Sequence, residues 1–211
     1  MYRHFYKNTI LSLCLLTSLS LFSFNDLTEA DVIYSSQEIV QIKEQAESGV
    51  AKAQCNLADI YYYGLGVDMD RFSALKWYKE AAKNGYVTPS SAFNIAECYF
   101  SGCGMARNRN YEEAFKWYRI SANKGHAEAQ YQLGFLYKNG EGTAKDEAEG
   151  FRWWLKAAEQ GFTNAQYDVG IAYINGYGVS KNRAEGIKWL QKAATKNHKA
   201  AIETLKNMEH Q

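Results

Sequence analysis

The sequence predicts an all-α chain, a solenoid of stacked helix pairs, on three observations. Four segments repeat one another: AQCNLADIYYYGLGV (Ala53 to Val67), SAFNIAECYFSGCGM (Ser91 to Met105), AQYQLGFLYKNGEGT (Ala129 to Thr143) and AQYDVGIAYINGYGV (Ala165 to Val179), spaced 38, 38 and 36 residues apart. A fixed period of that size marks a helical array in which each unit buries its apolar face on the next. Proline occurs once in 211 residues, at Pro89, and Ala, Lys, Glu and Tyr are abundant, which favours helices over sandwiches or barrels. Each repeated segment is followed by a second one with apolar or small residues at i, i+3, i+4, i+7 and i+8, as in Ala74, Trp77, Tyr78, Ala81 and Ala82.

From the N-terminus, the opening stretch stands apart. MYRHFYKN carries Arg3, His4 and Lys7, the run TILSLCLLTSLSLF is free of charge, and TEAD supplies small residues before Asp31. This is the layout of a secretory signal over residues 1–30, with cleavage expected after Ala30 and Ser20 or Ser23 as rival sites. The alternative is an uncleaved N-terminal anchor. Cys14 lacks the preceding small residue that a lipid-anchored signal needs. Residues 31–50 read as a lone capping helix, with Ala46 and Gly49 in register with the second helices of the repeats. Four repeats follow, at about 51–86, 91–126, 127–162 and 163–198. Residues 199–211 read as a lone first-type helix that ends the stack, and both end helices cover faces that would otherwise expose apolar surface.

Within a repeat, the first helix shows a column of Leu57, Ile95, Leu133 and Val169. Tyr61, Tyr99, Tyr137 and Tyr173 follow four residues later, and a small residue (Ala58, Ala96, Gly134, Gly170) lets another helix come close. Paired glycines from Gly64 and Gly66 to Gly176 and Gly178 end that helix. Asp70, Asn110, Asp146 and Asn182 stand where the second helix needs an N-cap. Glu113, Glu149 and Glu185 complete capping-box signatures, which Ser73 breaks in the first repeat. Gly85, Gly125, Gly161 and, in the last copy, Asn197 stop the second helix. Trp153 and Trp154 fall in columns with Trp77, Trp117 and Trp189, and with Tyr78, Tyr118 and Leu190. They are expected to hold the two helices of a repeat together rather than to line a pocket.

The columns A-x-x-x-L-G/A-x-x-Y-x-x-G-x-G and W-Y-x-x-A-A-x-x-G resemble the Sel1-like repeat family, a branch of the tetratricopeptide-type helical repeats. The resemblance runs from about Ala46 to the C-terminus. It implies a right-handed superhelix and a non-enzymatic protein-interaction module that holds a peptide or protein in its concave groove. Some cysteine-rich relatives carry a β-lactamase label, but they have a cysteine pair in every repeat, and this chain lacks that pattern.

Candidate chemistry is sparse. Ser73 with Lys76 and Ser121 with Lys124 fit S-x-x-K, but no S-D-N or K-T-G partner occurs, and both lie in repeat columns that read as solvated helix faces. His126 and His198 share a column with Tyr86 and Phe162 and read as half-buried loop aromatics. No H-x-x-H or C-x-x-C spacing suggests a metal, and no cofactor is expected. Cys98 reads as a buried thiol or, with Cys103 five residues on, as half of a disulfide. Lys plus Arg number 24 against 23 for Asp plus Glu, so no basic excess points to nucleic acid.

One further stripe carries the functional expectation. Phe93, Glu97 and Phe100, then Tyr131, Phe135 and Lys138, then Tyr167, Ile171 and Ile174 lie nearly opposite the Leu/Tyr core stripe on the first helices. Either they pack between neighbouring first helices, or they line a groove with Asn94, Gln132 and Asp168 as polar contacts. The irregular loop of repeat two offers Arg107 and Arg109 as a second candidate. The expected function is an exported adaptor, periplasmic or secreted from a bacterial envelope, with the endoplasmic reticulum lumen as the alternative site. The rival functions are a β-lactamase-type hydrolase and a structural or regulatory subunit that binds through its convex face or loops.

Overall fold

The computed structural model describes residues 34–103 and 108–209. The expected signal segment and Arg107 lie outside the described residues. Ten helices occur among them: α1 (Ser36–Glu47), α2 (Ala51–Tyr63), α3 (Arg71–Lys83), α4 (Pro89–Ser101), α5 (Tyr111–Asn123), α6 (Ala127–Asn139), α7 (Glu147–Glu159), α8 (Thr163–Asn175), α9 (Arg183–Thr195) and α10 (Lys199–Glu209). Each helix packs chiefly on its neighbours in sequence, most closely within the pairs α2/α3, α4/α5, α6/α7 and α8/α9. This is the all-α solenoid that the period requires. Among the described residues no helix is long and apolar enough to cross a membrane.

Helix ends follow from single residues. Gly64, Gly102, Gly140 and Gly176 close the first helices in left-handed backbone, φ 68° to 82°. Asp70, Asn110, Asp146 and Asn182 accept N–H bonds from the first turns of α3, α5, α7 and α9. The reciprocal half of the expected capping box does not form at Asn110, Asp146 and Asn182, and the reason is visible. The backbone N–H of each N-cap already donates to the carbonyl of Tyr99, Tyr137 or Tyr173, at 2.9, 2.8 and 2.8 Å. Glu113, Glu149 and Glu185 turn outward instead and pair with Lys116, Arg152 and Lys188. The tyrosine column thus ties each first helix to the start of the second. Asn197 takes φ 61°, the one positive φ outside glycine among the described residues.

Stacking of one repeat on the next depends on a second backbone contact. A Cβ on Gly142 would lie 2.1 Å from the Tyr111 carbonyl oxygen, and one on Gly178 2.1 Å from that of Glu147. The loops of repeats three and four therefore rest on the first turn of the second helix in the repeat before, and only glycine fits there.

Trp153 and Trp154 are buried, at 7% and 5% exposure. Trp154 lies against Gly134 of its own first helix and donates from Nε1 to the Tyr131 carbonyl at 3.1 Å. Trp153 packs in a cluster that takes in Phe115, Tyr118 and Ala122 of the preceding repeat. The same cluster holds Ala129, Leu133 and Leu136 of its own first helix, so Trp153 both packs within its repeat, as the sequence suggested, and joins repeat to repeat.

At the ends, α1 covers the first repeat through Ala46 and Ile42, which pack with Ala53 and Leu57. α10 covers the last repeat through Ala201, Leu205 and Met208, which pack with Leu190 and Ala193.

Candidate interaction face

The first helices α2, α4, α6 and α8 carry the stripe singled out in the sequence, and the structure divides it. Phe93 is buried at 7% exposure, with its ring stacked on His126 at 4.8 Å and near Tyr118 at 5.8 Å. Asn94 is buried at 2%, and its amide donates to the hydroxyls of Tyr63 at 3.1 Å and Tyr78 at 2.8 Å. Neither can meet a partner without unpacking the repeat, so both are corrected from groove residues to packing residues. The physical reason is register: this column faces the second helix and the neighbouring first helix.

The remaining stripe residues are half-buried or exposed. The Glu97 carboxylate accepts the Tyr118 hydroxyl, and the Phe100 ring meets Tyr111 edge-on at 5.4 Å. Tyr131 crosses from α6 to α8, donating its hydroxyl to Asp168 at 2.8 Å. Burial raises the Asp168 carboxyl above the usual range, against the opposing pull of that bond. Tyr167 stacks on His198 at 4.8 Å, and Ile171 and Ile174 pack against the cluster of α9 and α10. The Lys138 ammonium lies 5.2 Å above the Trp154 ring and 5.9 Å above Tyr177. Gln132 is half-buried. Phe135 stands out at 40% exposure, as does Tyr63 at 37% on α2.

The Phe135 column explains this exposure. Its counterparts are Asp59, Glu97 and Ile171. Asp59 accepts the Tyr78 hydroxyl at 2.5 Å and Glu97 that of Tyr118. Where the second helix supplies Trp154 or Leu190 in place of tyrosine, no hydroxyl is offered, and the column turns apolar. Burial pushes the Asp59 carboxyl up to about 7, with the Tyr78 hydrogen bond working the other way.

The loop candidate Arg109 is exposed and donates to the Tyr111 hydroxyl at 3.1 Å. It borders an open depression of about 550 Å³ with Glu112, Gly140 and Thr143, between repeats two and three.

Side chains of the rejected chemistry are occupied elsewhere. The Ser73 hydroxyl donates to Asp70 and the Ser121 hydroxyl to the Pro89 carbonyl, both at 2.6 Å, so neither is directed at its lysine. His126 and His198 are helix N-caps. Their Nδ1 atoms accept from Ala129 N and Ala201 N at 3.2 Å, a role the sequence did not suggest because histidine is an uncommon cap.

A second unread signal is the glutamine column. Gln54, Gln130 and Gln166 donate from Nε2 to the carbonyls of Ala46, Ala122 and Ala158, at 3.1, 3.1 and 3.2 Å. Each strut joins a first helix to the end of the preceding second helix. The column was legible as three identical residues, but its partners lie in the repeat before.

Comparison with known proteins settles the family. The Sel1 repeat pattern matches residues 51–86, 89–126, 127–162 and 163–198. The chain belongs to the Sel1 repeat family. The crystal structure of c5321, a protective antigen of uropathogenic Escherichia coli strains with an SLR fold, is 34% identical, with a TM-score of 0.71 over 81% of this chain and 36% of that one. A Sel1 repeat protein from Oxalobacter formigenes is 29% identical, with a TM-score of 0.70 over 88% of this chain and 52% of that one. Among curated proteins, chitin synthase regulatory factor 3 of Schizosaccharomyces pombe is 35% identical over 49% of this chain and 11% of its own length. The component HRD3B of an ERAD-associated E3 ubiquitin-protein ligase in Arabidopsis thaliana is 35% identical over 52% of this chain and 17% of its own. The chain thus spans a minor part of the curated relatives it matches. The family pattern opens repeat two at Pro89, two residues before the boundary expected from the sequence, and α4 begins there as well.

Proposed function

We propose that this chain is an exported, non-enzymatic scaffold that holds a peptide or protein partner in a concave groove lined by its first helices. The observation that carries the reading is Phe135, an aromatic ring left 40% exposed at the middle of a rigid repeat array. Gln132 and Lys138 flank it on α6, so an apolar anchor has polar neighbours, the usual make-up of a recognition surface. Membership of the Sel1 family supports a scaffold role. So do the relatives, named as a regulatory factor of chitin synthase and a component of a ubiquitin ligase.

The test is crosslinked capture of partners by the full chain from its own compartment, with Phe135→Ala beside the parent. We expect Phe135→Ala to lose at least about tenfold in captured partner, in the range of a binding hot spot, while its circular dichroism stays unchanged. Undiminished capture by the folded variant would move the site to the convex face or loops. Export is tested by N-terminal sequencing of the chain recovered from the envelope fraction, where a start at Asp31 is expected.

A further inference from the structure

Two cysteines of repeat two occupy places that the fold brings together whatever side chains stand there. Each first helix of the repeats ends with a backbone bond that reaches back five residues: Leu65 N to Ile60 O, Cys103 N to Cys98 O, Glu141 N to Leu136 O and Tyr177 N to Ala172 O, all at 3.0 Å. A left-handed glycine, Gly102 in this repeat with φ 74°, makes that turn, and the side chains on its two sides meet across it. In the other repeats the paired residues are Ile60 and Leu65, Leu136 and Glu141, and Ala172 and Tyr177. In repeat two alone both are cysteine.

The thiols use the proximity. Both Sγ atoms approach one acceptor, the Arg71 carbonyl oxygen, at 3.8 Å for Cys98 and 4.0 Å for Cys103, which places them side by side. Cys98 is buried and Cys103 half-buried. We infer that Cys98 and Cys103 are a redox pair that closes into a disulfide, a reversible staple across the C-terminal end of α4.

The two thiols are unequal in the way such a pair needs. The neighbouring Cys98 thiol and, against the effect of burial, the Arg71 guanidinium hold the Cys103 thiol below its usual range, while the Cys103 thiol and burial hold Cys98 above it. Cys103 is therefore the attacking thiolate, and it also lies nearer to solvent. It attacks one sulfur of a small disulfide such as oxidised glutathione and expels one glutathione thiolate. Cys98 then gives up its proton and attacks the Cys103 sulfur, expelling the second glutathione. Two protein thiols are oxidised, one glutathione disulfide is reduced to two thiols, and the released protons balance the charge. Cys55 takes no part: it is 3% exposed, and burial pushes its thiol up to about 12. The inference is independent of where a partner binds.

The experiment equilibrates the full chain in mixtures of reduced and oxidised glutathione, blocks free thiols by alkylation and maps peptides without reduction. The tryptic peptide from Asn84 to Arg107 holds both cysteines. We expect it to lose two hydrogens and both alkylatable thiols, and cleavage after Tyr99 or Phe100 to leave two fragments still joined. Cys98→Ala, checked for fold by circular dichroism, is expected to accumulate a glutathione adduct at Cys103. Free thiols at both positions under oxidising mixtures would overturn the inference. So would a stable adduct at Cys103 in the parent, a bridge from either residue to Cys55 or Cys14, or a folded Cys98→Ala chain that takes no adduct.

Discussion

Gly134 and Trp154 are a matched pair. A Cβ on Gly134 would stand 2.4 Å from Trp154 Cδ1 and 2.8 Å from the Gly150 carbonyl, so the indole occupies the space a methyl group would take. The first two repeats solve the same contact with Ala58 and Tyr78 or Ala96 and Tyr118. Gly134→Ala is expected to cost about 1–3 kcal/mol in urea unfolding, as overpacking does. Combining it with Trp154→Tyr is expected to cost less than the sum of the two single changes, because it rebuilds the pairing of repeats one and two. Asp59 gives a pH signature at the same scale. Its carboxyl titrates near 4 when unfolded and at about 7 when folded, so the folded chain holds the proton more tightly. Its stabilising contribution is full below about pH 4 and is lost as pH rises through 7. His126 acts in the opposite sense: burial lowers its folded pKa, so its contribution is full above its unfolded value and is lost as pH falls through that value toward the folded one. Asp59→Asn is expected to match the parent near pH 4 and to exceed it by at least about 1 kcal/mol at pH 8, and thermal melts across that range check it.

The helices were legible because each carries its own boundaries. Asp70, Asn110, Asp146 and Asn182 start the second helices, and left-handed glycines end the first ones. These are local interactions that a single segment encodes. What the sequence did not show was non-local. The glutamine struts need the end of the previous second helix, and the N-cap N–H groups are taken by tyrosine carbonyls of the previous element. The candidate site was half-legible for the same reason. A period of 3.6 located the stripe on the first helices, but it could not say that Phe93 turns onto His126 and Asn94 onto Tyr78 while Phe135 faces out. Capping also supplies the element-scale prediction. Asn182→Ala removes the acceptor for Glu185 N at 3.1 Å and should lower stability by about 1 kcal/mol, read as a shift in the urea midpoint at constant slope.

At the scale of the molecule the array is not uniform, and its weakest seam lies between repeats one and two. Ala92 stands in the glutamine column, so no strut reaches back from α4 to the end of α3. Val87 and Thr88 are inserted before Pro89, and α3 and α4 touch less closely than the second and first helices at the later junctions. Thr88 caps α4 in a complete capping box with Ser91, which starts the helix from its own side rather than from the repeat before. In a solenoid the stability is close to a sum of repeat terms and nearest-neighbour interfaces, so a thin interface divides it into units that open separately. Native-state hydrogen exchange should then show the amides of α1, α2 and α3 opening together at a lower free energy than those of α5, α6 and α7. Equal opening free energies on the two sides of Val87 would mean that the seam is as strong as the strutted junctions. In that case the missing glutamine would be offset by the contacts of Asn94 with Tyr63 and Tyr78, which cross the same boundary.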